Sequence, residues 1–278
     1  MTSAAANQPI APADAEPLVL SARPHHAVAL LTLNRPAARN ALSVAMIEAL
    51  HVAIAQLGAD ATVSAIVLAA KGPVFSSGHD LKELTAHRAD ADHGLAFYTQ
   101  AMTACSAMMQ AIIACPKPVI AAVEGTATAA GCQLVATCDL AIAADTAHFC
   151  TPGVNIGLFC STPMVALSRN VARKRAMQML LTGELISAAE AADWGLVNRA
   201  VPAAEVLPQA LGLADEIAQK SPLTVAVGKS AFYAQAEMSL EDAYDYAAQV
   251  MVDNMMSRDA AEGISAFLGK RKPQWKGC

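Results

Sequence analysis

Two short stretches of this chain combine glycine, small residues and a following helical pattern in a way that can present backbone amides to a ligand. The first is Pro73-Val-Phe-Ser-Ser-Gly-His-Asp-Leu-Lys-Glu-Leu84, and the second is Ala129-Ala-Gly-Cys-Gln-Leu-Val-Ala136. Gly78 permits a backbone turn that most residues cannot make, which frees the N–H of His79 to point at a ligand. Ala130 stands at a predicted helix start, where N–H groups lack helical partners and the macrodipole adds positive potential. Two such N–H groups facing one oxygen make an oxyanion hole, a device for carbonyl chemistry. A lone glycine turn is more often an ordinary turn, so the surrounding elements must be read as well.

Val28–Leu33 is an apolar run stopped at Asn34-Arg-Pro36, a strand followed by a breaker. Ser43 is an N-cap candidate, with Met46, Ile47, Leu50, Ile54 and Leu57 at helical spacing up to Gly58. Val63–Ala69 reads as a buried strand, Gly94 to Cys115 as a long helix stopped by Pro116-Lys-Pro118, and Val119–Val123 as a strand. Ala130–Cys138 reads as a helix, Leu140–Ala144 as a strand and His148–Cys150 as a short extended piece. This repeated alternation predicts an α/β fold. After Thr162 the pattern predicts helices only, with a capping box at Ser187-Ala-Ala-Glu190 and helix starts at Ser221-Pro222 and Ser239.

Composition narrows the function classes. The chain has 278 residues, 55% hydrophobic but 4% aromatic, so its core is built from Ala, Val, Leu, Ile and Met. A net charge of −5 offers no basic field for nucleic acid or anionic lipid, so neither is an expected partner. Seven cysteines, an odd number without CxxC spacing, point to reduced thiols. Glu124, Gln133 and Asp139 interrupt the apolar runs before they reach transmembrane length. The first sixteen residues are Ala/Pro-rich, with no arginine before Arg23, and predict a flexible tail and a cytoplasmic protein. The other histidines, His25, His26, His51, His87, His93 and His148, show no metal-ligand spacing, and no GxGxxG or P-loop string is present.

The two turns, together with Pro152-Gly-Val-Asn-Ile-Gly-Leu-Phe-Cys-Ser-Thr-Pro163, resemble the signature of the crotonase, or enoyl-CoA hydratase/isomerase, superfamily. The similarity is nearest to its enoyl-CoA hydratase domain-containing branch and covers residues 17 to 275. It implies an α/β crotonase-like spiral of repeated ββα units over residues 17–205. A C-terminal helical region over 206–278 would serve oligomerisation and cover CoA, with homotrimers or dimers of trimers expected. No tightly bound cofactor is implied, since coenzyme A enters as part of an acyl-CoA substrate. By the same resemblance, the N–H groups of His79 and Ala130 form the hole. Arg39, Ala41, Ser77, Gly78, Asp80, Leu81, Lys82, Phe267 and Lys270 would contact CoA. Asp80 has a second reading as a brace for the following helix, and Lys270-Arg-Lys272 as a solvated helix end.

The departures bear on the reaction. A hydratase of this family uses two glutamates to position a water and move a proton. The first position falls on Gln133, which can hold a water but cannot take and return a proton near neutral pH, and the second on Gly153, which has no side chain. His79, Cys150, Thr151, Asn155, Cys160 and Ser161 are the residues that could substitute, the two cysteines reading as inert thiols. The sequence therefore leaves three readings open: a hydratase-type lyase, a carboxyacyl-CoA decarboxylase that needs the hole but no strong base, and a catalytically weak acyl-CoA-binding protein.

Overall fold

The computed structural model describes residues 16–278, so the expected flexible tail lies, but for Glu16, outside the described residues. β1 (Val19–His25) and β2 (Val28–Leu33) pair as an antiparallel hairpin. In α1 (Val44–Ala59) the Ser43 side chain accepts from the Met46 N–H, and the five apolar residues at helical spacing are all buried. β3 (Ala65–Ala70), β4 (Val74–Ser76) and α2 (Leu81–Ala86) make one ββα turn. α3 (Leu95–Ala114) leads into a second, formed by β5 (Val119–Val123), β6 (Thr126–Thr128) and α4 (Ala130–Thr137). β7 (Leu140–Ala144) and β8 (His148–Cys150) open a third, which continues through α5 (Pro163–Asn170) and α6 (Arg173–Thr182). Next come β9 (Ile186–Ser187), α7 (Ala188–Asp193), β10 (Arg199–Val201) and α8 (Val206–Ala218). The chain ends in α9 (Pro222–Gln235), α10 (Leu240–Met255) and α11 (Arg258–Leu268).

Each turn of this spiral contributes one strand to each of two sheets, ordered β1-β2-β3-β5-β7-β10 and β4-β6-β8-β9. β3, β5 and β7 run parallel in the larger sheet, and every residue of β5 is buried, as a parallel strand covered on both faces must be. In the smaller sheet β4, β6 and β8 are also parallel neighbours. The segments that follow these three strands therefore leave the sheet at one end. Those segments are 77–80, 129–130 and 151–153, which carry both amide-presenting turns and the Gly153 position.

Two sequence expectations need correction. The region after Thr162 is not helices only, because β9 and β10 join the two sheets; strands of two or three residues carry no readable period. The division at residue 205 falls in front of α8, which packs on β3, β5 and β7 through the buried Val206, Ala210 and Ala214. The sheet-covering core thus runs on to Ala218, and the helical region proper begins with α9. A buried ion pair anchors that helix. Lys229 Nζ donates to Asp139 Oδ2 at 2.6 Å and to the carbonyls of Ile112 and Lys117, while the Tyr233 hydroxyl donates to Asp139 Oδ1 at 2.9 Å. Among the described residues no helix is long and apolar enough to cross a membrane.

Candidate active site

The first turn is held from below by the segment 39–42. Ser77 N–H donates to the Arg39 carbonyl at 3.1 Å, Leu42 N–H to the Gly78 carbonyl at 2.7 Å, and Asp80 N–H to the Leu42 carbonyl at 3.3 Å. Asn40, which the sequence reading did not single out, organises this junction from full burial. Its side chain accepts from Arg35 N–H and donates to the Lys71 and Val74 carbonyls, and its own carbonyl accepts from the Ser76 hydroxyl. An asparagine three residues before the helix cap Ser43 was the available signal. Ala41 is buried beside it, and Arg39 is exposed.

The two turns touch through glycine. Gly78 has φ +84°, and a Cβ there would lie 2.8 Å from Ala129 Cβ and 3.1 Å from the Ala130 nitrogen. A Cβ on Gly131 would lie 2.2 Å from the Ser76 carbonyl oxygen, so that glycine lets α4 back onto the end of β4. Ala129 takes φ 50° and ψ −120°, a conformation rare for any residue with a side chain, and its N–H is fixed by the Cys150 carbonyl at 2.9 Å. Strain of this kind persists where the surroundings over-determine it. The result is that Ala130 is the first residue of α4, close against Gly78. Among the described residues neither the His79 N–H nor the Ala130 N–H donates a hydrogen bond.

The side chains around this junction divide clearly. Asp80 is committed to structure: it caps α2 by accepting from the N–H groups of Lys82 and Glu83, and it pairs with Arg35 at 2.7 Å. Burial raises its pKa, but the Arg35 guanidinium and the two amides outweigh that and leave it below the ordinary carboxylate value. Leu81 and Lys82 lie exposed on the first turn of α2. Gln133 is 5% exposed and Thr151 fully buried, and Gln133 Oε1, Thr151 Oγ1 and His79 Nε2 are buried without any partner among the described residues. Burial lowers the His79 pKa, opposed by the Leu42 carbonyl.

Gly153 is not an emptied slot. A Cβ built on it would fall 2.6 Å from the Leu158 carbonyl oxygen and 2.9 Å from Cys160 Sγ. Leu158 N–H donates to the Gly153 carbonyl at 2.9 Å, closing the loop over the position where the sequence reading placed the second glutamate. Burial pushes the Cys150 thiol up to about 11 and raises Cys160 and Cys132 as well, which suits inert thiols at neutral pH.

The structure thus gathers Arg39, Ala41, Ser77, Gly78, His79, Asp80, Ala130, Gln133 and Gly153 at one end of the small sheet. It does not seat Phe267 or Lys270 there. Phe267 is 83% exposed on α11, which packs on α9 and α10, and Lys270 follows that helix with φ 50°. Within the basic triplet, Arg271 is held by a two-pronged pair with Glu262 at 2.6 and 2.8 Å.

Comparison with known proteins agrees with this architecture. The enoyl-CoA hydratase/isomerase family pattern matches residues 23–278. Human mitochondrial enoyl-CoA hydratase domain-containing protein 3 is 48% identical over 262 residues, 94% of this chain and 85% of the relative. Among solved structures, an enoyl-CoA hydratase from Mycobacterium smegmatis superposes with a TM-score of 0.89 at 50% identity, covering 94% of this chain and 99% of that one. The crystal structure of human enoyl-CoA hydratase domain-containing protein 3 gives 0.88 at 47% identity, covering 93% and 100%. The names of the rat and human relatives overturn the expected cytoplasmic location, since both are mitochondrial proteins. Reduced thiols and an arginine-poor start do not separate one reducing compartment from another. With the spiral of two sheets, the paired turns and these likenesses together, the chain belongs to the enoyl-CoA hydratase/isomerase family.

Proposed function

We propose that this protein is an acyl-CoA thioester-binding enzyme that polarises the thioester carbonyl between the N–H groups of His79 and Ala130, without the paired glutamates of a hydratase. The observation that supports this reading is the close approach of the two turns at Gly78, together with the lack of an acceptor for either amide among the described residues. Arg39 and Lys82, both exposed at the rim, supply the positive charge that a CoA phosphate requires on an otherwise acidic protein. Gln133 and Gly153 lack ionisable groups, so hydration of a short 2-enoyl-CoA is expected to fall well below that of a two-glutamate enzyme, each such group contributing about a hundredfold or more. Decarboxylation of a carboxyacyl-CoA also fits a hole without paired carboxylates.

Apolar side chains exposed along α10 and α11, among them Leu240, Tyr244, Met255 and Phe267, support assembly of several copies, as trimers or dimers of trimers. In such an assembly α9 to α11 would also cover CoA, which gives Phe267 and Lys270 a place at a neighbouring site. The test is a mass-spectrometric screen of CoA thioesters with enoyl, carboxyacyl and saturated chains. Water addition, carboxyl loss or hydrolysis identifies the reaction; binding with no turnover identifies a carrier; no binding of any thioester refutes the proposal.

A further inference from the structure

His79 Nε2, Gln133 Oε1 and Thr151 Oγ1 are buried side-chain atoms with no hydrogen-bond partner among the described residues, and all three belong to residues that follow neighbouring strands of the small sheet. Their placement follows from the topology. His79 follows the end of β4, Gln133 lies one turn into α4 beyond β6, and Thr151 follows β8; these three strands are parallel neighbours. Gln133 N–H donates to the Ala129 carbonyl, and Ala129 N–H in turn to Cys150, the residue before Thr151. Buried polar atoms in a folded protein are almost always satisfied, so three orphans on residues at the same end of three adjacent strands mark a place for something polar. Gln133 Oε1 accepts only, while the Thr151 hydroxyl both donates and accepts, so together they can hold a water molecule. The His79 ring is the one titratable group of the three, and it belongs to the same residue as one proposed hole amide, a side chain's length away.

Resting on the thioester reading above, we propose that the His79 imidazole takes and returns a proton at the carbon next to the thioester carbonyl, with Gln133 and Thr151 holding the water through which that proton reaches solvent. The chemistry needs one base. As Nε2 accepts the proton, the C–H electron pair forms the Cα–C double bond and the carbonyl π pair moves onto oxygen, where the amides of His79 and Ala130 hold it. Return of the proton reverses each bond change, and in deuterium oxide the ring returns a deuteron. The substrate class is an acyl-CoA whose chain carries no carboxylate near Cα, because none of the three groups is a cation that could pair with one. The neutral ring that a base requires agrees with the burial of His79, and its neighbour Asp80 is occupied by Arg35 and the start of α2.

The test is incubation of the protein with butyryl-CoA in deuterium oxide, reading deuterium at Cα by mass spectrometry and binding by calorimetry. Wild type is expected to incorporate deuterium, and His79→Gln to lose the activity at least about a hundredfold while binding the thioester, since residue 79 keeps its N–H. His79→Ala with added imidazole is expected to recover part of the exchange, and Thr151→Val to slow it. Binding by wild type without exchange overturns this proposal alone, as does exchange by His79→Gln at the wild-type rate. Failure of wild type to bind any acyl-CoA overturns the thioester reading and this proposal with it.

Discussion

Placing glutamates at both positions, Gln133→Glu with Gly153→Glu, is the direct way to ask whether paired carboxylates alone would confer hydration. The geometry says that they will not. The Cβ of residue 153 alone would approach the Leu158 carbonyl oxygen to 2.6 Å, inside any real contact, before the rest of the side chain is placed. Forcing it in displaces backbone, an overpacking cost of about 1–3 kcal/mol. It also breaks the hydrogen bond from Leu158 N–H to the Gly153 carbonyl, worth about 1 kcal/mol net. The expected destabilisation is roughly 2–4 kcal/mol, with the carboxylate displaced along with its loop. Gln133→Glu fares differently: it adds no volume to speak of, but burial of residue 133 desolvates the new carboxylate and raises its pKa. Urea unfolding measures the first quantity, and loss of enoyl absorbance with crotonyl-CoA measures hydration. A double variant as stable as wild type that hydrates crotonyl-CoA a hundredfold faster would show that the loop over Gly153 yields freely, and the argument would fall.

Four further outcomes are expected. Ala130→Pro, which deletes one of the two proposed hole donors, should cost on the order of a hundredfold in turnover of any thioester that reacts through an enolate, and Ala130→Gly far less, by steady-state kinetics. Lys229→Met strands the buried Asp139 carboxylate and should cost about 3–5 kcal/mol in urea unfolding, the lysine side chain being only 7% exposed; a loss under about 1 kcal/mol would mean that α9 docks without it. A disulfide reagent should find one fast thiol, the exposed Cys278, in the native protein and all seven cysteines in denaturant; several fast thiols would contradict the burial of the other six. Burial raises the pKa of Asp259, but Ser221 and the N–H groups of Lys276 and Gly277 hold it below the ordinary value. Its stabilising effect should therefore be complete above the usual aspartate range and be lost as pH falls through the lowered value, a slope in acid melting that Asp259→Asn should flatten.

The sequence made the local devices legible. Ser43, Ser187, Ser221 and Ser239 all cap the helices they were expected to start, and β2, β5, β7 and β8 occupy the ranges expected of strands or extended pieces. Caps and apolar runs are decided within a few residues, so a sequence window contains their cause. β1 escaped notice because it is an edge strand with five exposed residues and no buried face to give it a period. At the site, the absence of an ionisable group at residue 133 was legible because the identity of Gln133 alone decides it. The filling of the Gly153 position was not, since it depends on Leu158 and Cys160 returning through a turn whose only sequence mark is Gly157. Asn40 was missed for a related reason: its partners at Lys71 and Val74 lie on a different segment of the chain.

The loop that closes over Gly153 also acts as an evolutionary ratchet. Once Leu158 and Cys160 pack into the space, a glutamate arriving there by a single codon change meets a backbone carbonyl rather than a substrate, so selection sees only its harm. A carboxylate could be seated at residue 153 only if the loop were rebuilt first, before the new side chain offered any benefit. The backbone amides of residues 79 and 130, by contrast, survive every substitution except proline. On the thioester reading proposed above, amino-acid drift around this junction would alter what is done to a bound thioester more readily than whether one is bound.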